Sequence, residues 1–143
     1  MEEKITAELL NVLENSEKIE DYFSEIEESS DKDFLTYFNE QDQIQNINKA
    51  DLIRDSQIDR TYAYQILQGR KNPSRDKIIA LCLAGKFTLL QCQRALSYGK
   101  EAKLYPKIKR DAVIIFAFNK GLSVLETEEL LNDFKLDTLN KFN

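Results

Sequence analysis

Apolar residues recur at the three- and four-residue intervals of amphipathic helices along most of this 143-residue chain. Ile5, Leu9, Val12 and Leu13 form one stripe, and Ile19, Tyr22, Phe23 and Ile26 form another. Ser30 and Asp33 fit a capping box ahead of Phe34, Tyr37 and Phe38, which predicts a helix from near residue 31 towards Asp42. Gln43 to Asn48 is polar and reads as a turn. Brief helices are then predicted at Lys49–Ser56, carrying Leu52 and Ile53, and at Arg60–Gln68, carrying Ala63, Ile66 and Leu67. Ser74 should cap the next, with Ile78, Ile79, Leu81, Cys82 and Leu83 apolar. Leu89–Tyr98 follows, with Leu90, Ala95 and Leu96 expected inward.

Pro106 breaks the pattern, and "AVIIFAF" at 112–118 is apolar all round, as a central buried helix would be. Its β-branched Val113, Ile114 and Ile115 would also suit a strand, but a lone strand has no partner in this sequence. Ser123 and Glu126 then form a capping box for a last helix carrying Leu130, Leu131 and Phe134. The glycines at 69, 85, 99 and 121 each follow an apolar-periodic segment, where a helix end favours positive φ. With only 4 glycines and 2 prolines as punctuation, the fold class expected is all-α.

Charge changes the picture once it is divided along the chain. The formal total is -5, yet residues 1–33 hold 12 acidic and 3 basic side chains while residues 49–110 hold 14 basic and 5 acidic. Such asymmetry points the basic segment towards a polyanion. The acidic arm reads either as a small helical hairpin with a solvated face or as a device that contacts a partner or shields the basic region.

Two helices of about eight residues, joined by a tight turn and followed by a third, make the helix-turn-helix pattern. "NKADLIRDSQIDRTYAYQILQG", residues 48–69, resembles without gaps the helix-turn-helix of the Cro/lambda-repressor type (XRE-like) found in bacterial DNA-binding proteins. Leu52 stands at that family's inward leucine, Ile58 at the buried aliphatic after the turn, and Asp59 at an N-cap usually given to serine. Arg60 is the common basic residue of the recognition helix, Ile66 the inward aliphatic near its end, and Gly69 the terminating glycine. "GRKNPS", residues 69–74, is similar to the loop whose Pro-Ser opens the family's fourth helix. The chain departs from the family at Lys49, where glutamine is frequent, at Gln57, where glycine is usual, and at Ile53 and Tyr64, where small residues are preferred.

The resemblance covers residues 34 to about 90. It implies a five-helix helix-turn-helix core over 31–98, between an acidic N-terminal helical arm (1–30) and a C-terminal helical extension (99–143) packed on the core. It implies sequence-specific binding of double-stranded DNA in a cytoplasmic transcriptional regulator. Residues after the core often form a dimer interface in such repressors, so a homodimer is compatible with it.

On a helix over 60–68, Ala63, Ile66 and Leu67 share one face, so Arg60, Thr61, Tyr64, Gln65 and Gln68 point away from it. Gln65 suits adenine, and Arg60 suits guanine or a phosphate. Tyr62 and Tyr64 suit a thymine methyl or phosphate oxygen, or pack half-buried with their hydroxyls in water. Arg70, Lys71 and Asn72, with Lys49, would grip the backbone. "KLYPKIKR", residues 103–110, reads as a second phosphate patch or as a solvated linker, and Arg75 and Asp76 as an ordinary first-turn pair. The alternative function is a protein–protein interaction module on the same scaffold, favoured by Asp51, Asp55 and Asp59 beside the motif.

Other chemistry finds little purchase. The chain has no histidine, and Cys82 and Cys92 form no CxxC pair, so a Cys/His zinc site is not expected and two buried thiols are. No phosphate-cradling glycine loop appears, so neither an enzyme nor a cofactor is expected. Glu2 and Glu3 do not begin a signal peptide, and no apolar run approaches the roughly 20 residues of a membrane span.

Overall fold

Residues 32–141, described by a computed structural model, form eight helices and no strand. These are α1 (Phe34–Glu40), α2 (Asp42–Gln45), α3 (Lys49–Ser56), α4 (Arg60–Leu67), α5 (Arg75–Ala84), α6 (Leu89–Tyr98), α7 (Lys109–Lys120) and α8 (Val124–Asp133). Most start at a side chain able to satisfy a freed backbone amide. Asp33 accepts from the Thr36 amide at 2.8 Å, Asn48 from Asp51 at 3.1 Å and Asp59 from Tyr62 at 3.1 Å. Thr88 with Gln91 and Ser123 with Glu126 close full capping boxes on α6 and α8.

Several expectations are corrected. α1 starts at Phe34 with Asp33 itself as the cap, while Ser30 and both stripes of the acidic arm lie outside the described residues. The polar stretch expected as a turn is partly helix α2, because Ile44 is buried and the Gln43 amide is bonded to Gln91 on α6 at 2.6 Å. α7 is not buried all round. Ile114, Ala117 and Phe118 face inward, but Phe116 is 48% exposed. The central element is instead α5, where every residue from Lys77 to Ala84 is buried and which packs against α3, α6 and α8. Leu90 and Phe134, expected inward, are exposed.

The glycines divide by cause. Gly69 and Gly121 take positive φ, as expected, but Gly85 and Gly99 do not. There the next residues, Lys86 and Lys100, adopt the left-handed conformation at φ 62° and 58°. At Gly99 an added Cβ would lie 2.5 Å from the Cδ1 of fully buried Ile78, so close approach rather than φ calls for glycine.

The C-terminal segment is tied to the six helices before it by ionic and amide clamps. Arg75 gives two bonds to Asp111, at 3.2 and 3.0 Å, and donates to the carbonyls of Ala102 and Lys103. Arg110 does the same to Asp76, at 3.0 and 3.1 Å, and reaches the carbonyls of Asp137 and Thr138. The pair Arg75–Asp76 is therefore not a local one: each member reaches across to the start of α7. Past α8, the Leu139 and Asn140 amides donate to Glu128, and the Asn140 side chain bridges the Lys77 ammonium and the Ser56 carbonyl. Burial lowers the Lys77 pKa, opposed by the nearby Asp76 and Glu128 carboxylates.

Between α1 and α6, Tyr37 lies with its ring 5.0 Å from that of Tyr98, and burial pushes its phenol up to about 12. An unfolded tyrosine ionises near pH 10. As pH rises from 10 towards 12 the unfolded state therefore releases a proton that the folded state keeps, and stability falls. Between pH 9 and 11.5 Tyr37 should account for a loss of about 2 kcal/mol. Urea unfolding at the two pH values should show this excess in the wild type and not in Tyr37→Phe; equal losses would refute it.

Candidate nucleic-acid interface

α3 and α4 pack together across the three residues Gln57 to Asp59. Gln57 ends α3 in the left-handed conformation at φ 60°, where glycine would be free of strain, and its side-chain amide donates to the Arg54 carbonyl at 3.0 Å. The buried Ser56 hydroxyl donates to the Ile53 carbonyl at 2.7 Å and accepts from the Ile58 amide at 3.2 Å. Ile58 is buried, and Asp59 caps α4. Ala63, Ile66 and Leu67 hold α4 to the core.

That anchoring sets which side chains α4 presents. Arg60, Thr61 and Gln68 are exposed, whereas Tyr62, Tyr64 and Gln65 are half-buried. Both tyrosines pack against the core, as the more ordinary of the two expectations for them had it. The Arg60 guanidinium sits 5.7 Å from the centre of the Tyr64 ring, so the two form one cationic and aromatic surface. Gly69, at φ 79°, turns the chain so that the Arg70 and Lys71 amides both donate to the Gln65 carbonyl, at 2.9 and 3.3 Å. The loop bearing exposed Arg70, Lys71 and Asn72 is thereby fastened to α4. Lys49 stands apart, exposed in the first turn of α3.

The acidic residues are partly compensated. Arg54 pairs with Asp51 at 3.1 Å and with Asp55 at 3.2 Å, all three being exposed. The Asp59 carboxylate is engaged by the Tyr62 amide. Between α3 and α4 lies an open groove of about 590 Å³ whose charged lining is mixed: Asp51, Arg54, Asp59 and Arg60.

Residues 103–110 are anchored at both ends, while residues 105–109 between the anchors are exposed. Gln93 clasps the Leu104 backbone from both sides, at 2.9 and 2.8 Å, and the Tyr105 amide donates to Asp111 at 2.9 Å. Arg110 is committed to Asp76, which leaves Lys107 and Lys109 as the exposed cations in this stretch. One cation went unremarked in the sequence. Lys100, exposed in the turn after α6, lines the same groove as Lys71, about 270 Å³ in volume. Its signal was the glycine before it, which marks a helix end and an outward side chain.

Cys82 and Cys92 are free and buried, and burial with the adjacent Cys92 thiol raises the Cys82 pKa well above its ordinary value. Among the described residues no cluster of three or more metal-ligating side chains occurs, and no helix is long and apolar enough to cross a membrane. No protein-family model matches the chain, and no curated protein or solved structure matches it.

Proposed function

We propose that this chain is a helix-turn-helix protein that binds double-stranded DNA sequence-specifically, with α4 in the major groove, and acts in the cytoplasm as a transcriptional regulator. The observation that carries the reading is the union of α4 with its following loop. A short helix held by Ala63, Ile66 and Leu67 presents Arg60, Thr61, Gln65 and Gln68, and a loop hydrogen-bonded to that helix presents Arg70, Lys71 and Asn72. Base-reading and phosphate-gripping groups then approach a duplex in fixed register. The helix-turn-helix core takes in described residues 32–98, with residues 99–141 packed on it through the Arg75–Asp111 and Arg110–Asp76 pairs.

The test is the affinity for a random-sequence duplex as salt is raised. Each phosphate neutralised contributes about -0.9 to the slope of log affinity against log salt. Lys71→Ala should weaken binding to all sequences alike and reduce that slope by about 1. An unchanged slope would remove Lys71 from the interface, and no retention at low salt would remove the reading.

A second reading draws on the mixed-charge groove between α3 and α4. A lining of Asp51, Arg54, Asp59 and Arg60 beside Tyr64 suits a protein better than a polyanion. It predicts a partner that co-purifies with the full chain after nuclease treatment and is lost in Arg54→Glu.

A further inference from the structure

We propose that the DNA-facing surface continues past the loop after α4 to the end of α6, where Lys100 holds a backbone phosphate next to the one held by Lys71. This rests on the DNA-binding reading and deepens it, because Lys100 lies outside the helix-turn-helix motif. The two lysines line one groove of about 270 Å³, together with Leu35, Asn72, Pro73 and Tyr98. Among the described residues neither lysine makes an ion pair. The groove thus offers cations and an amide to phosphate oxygens, and an apolar wall to the sugar between them. Its carboxylate, Asp33, has one oxygen taken up by the Thr36 amide at 2.8 Å. Lys71 and Asn72 already belong to the proposed phosphate-gripping loop, so the groove is continuous with that interface.

The fold holds Lys100 in place. A Cβ added at Gly99 would meet Ile78, so the end of α6 lies close against α5. The Lys100 and Glu101 amides donate to the Ser97 and Leu96 carbonyls at 3.0 and 2.9 Å, which closes the turn. Just beyond it, Arg75 grips the Ala102 and Lys103 carbonyls. Arg75 opens α5 directly after the loop that carries Lys71, so the two lysines stand on one braced frame. The fold also supplies a matched control. Lys86 follows Gly85 as Lys100 follows Gly99, is exposed, and takes the same left-handed conformation. It lies beyond the far end of α5, about 15 Å of helix away from the groove.

Salt titration of random-duplex affinity, on the full chain, tests the inference. Lys100→Gln should reduce the slope of log affinity against log salt by about 0.9, and Lys71→Ala/Lys100→Gln by about 1.8. Lys86→Gln should leave the slope unchanged. An unaltered slope in Lys100→Gln, or an equal change in Lys86→Gln, would overturn the inference and leave the DNA-binding reading standing. A slope that falls in Lys100→Gln but not in Lys71→Ala would keep Lys100 as a phosphate contact and remove the loop after α4 from the interface. No retention of duplex by the wild type at low salt would overturn both. Retention of poly-L-glutamate in its place would mark the groove as a surface for an acidic protein.

Discussion

Asp111→Ala is expected to destabilise the chain by about 3–5 kcal/mol, the cost of breaking a buried ion pair by removing one member. The Asp111 side chain is only 3% exposed and accepts three hydrogen bonds, two from Arg75 and one from the Tyr105 amide. Its removal strands a guanidinium that is itself 24% exposed and leaves the Tyr105 amide without its acceptor. The value should fall towards the lower end, because Arg75 keeps the Ala102 and Lys103 carbonyls. Arg75→Met/Asp111→Leu should recover much of the loss, since replacing both members by apolar groups leaves no buried charge. Asp76→Ala should cost only about 1 kcal/mol, as the Asp76–Arg110 pair is more exposed. Urea unfolding of the four chains decides the matter. A loss below about 1 kcal/mol for Asp111→Ala would show that the clamp between α5 and the start of α7 does not hold the two segments together.

The second large effect concerns base reading. Arg60→Ala and Gln65→Ala should each weaken binding at the preferred duplex by about 1–3 kcal/mol, roughly 10- to 100-fold, with little change on random duplex. Neither substitution should unfold α4. Arg60 is exposed, and the Gln65 group that fastens the loop is its backbone carbonyl rather than its side chain. Tyr64 should respond differently. As it packs against the core and carries the Arg60 guanidinium over its ring, Tyr64→Ala would combine a loss of stability with a loss of binding. Competition binding on matched and random duplexes separates these outcomes. Equal losses on both would make Arg60 and Gln65 phosphate contacts rather than base contacts.

What could be read from the sequence was mostly local. The bounds of α3 and α6 follow from periodicity, and the α8 capping box from Ser123 and Glu126. Asp59 was legible as a cap through the resemblance to helix-turn-helix proteins, at whose N-cap position it stands. The failures are all tertiary. "AVIIFAF" supplies apolar residues on every side, but among the described residues α7 packs chiefly against α6 and α8, and Phe116 is left outside. The most enclosed helix was α5, where residues 78–84 form an apolar run as long as "AVIIFAF" but follow charged Arg75, Asp76 and Lys77. α2 forms from polar residues because Gln91, on α6, bonds the side chains of Gln41 and Gln43.

The crossed clamps had a faint trace. Arg-Asp dipeptides stand at 75–76 and 110–111, each in the first turn of a helix, and each supplies the other's counter-charge. Nothing in a linear reading pairs residues 34 to 36 positions apart. At the interface, residue types and their order along α4 were legible. The half-burial of Gln65 was not, and that of Tyr62 and Tyr64 stood only as one of two alternatives, since it depends on how deeply Ile66 and Ala63 draw the helix into the core.

The most direct measurement is selection by the full chain from a pool of random duplexes at two salt concentrations, with sequencing of what is retained. The account predicts an enriched motif and a steep fall in retention at the higher salt. Retention of no duplex at the lower salt, or retention without any enriched sequence, would contradict a DNA reader built on α4 and its loop.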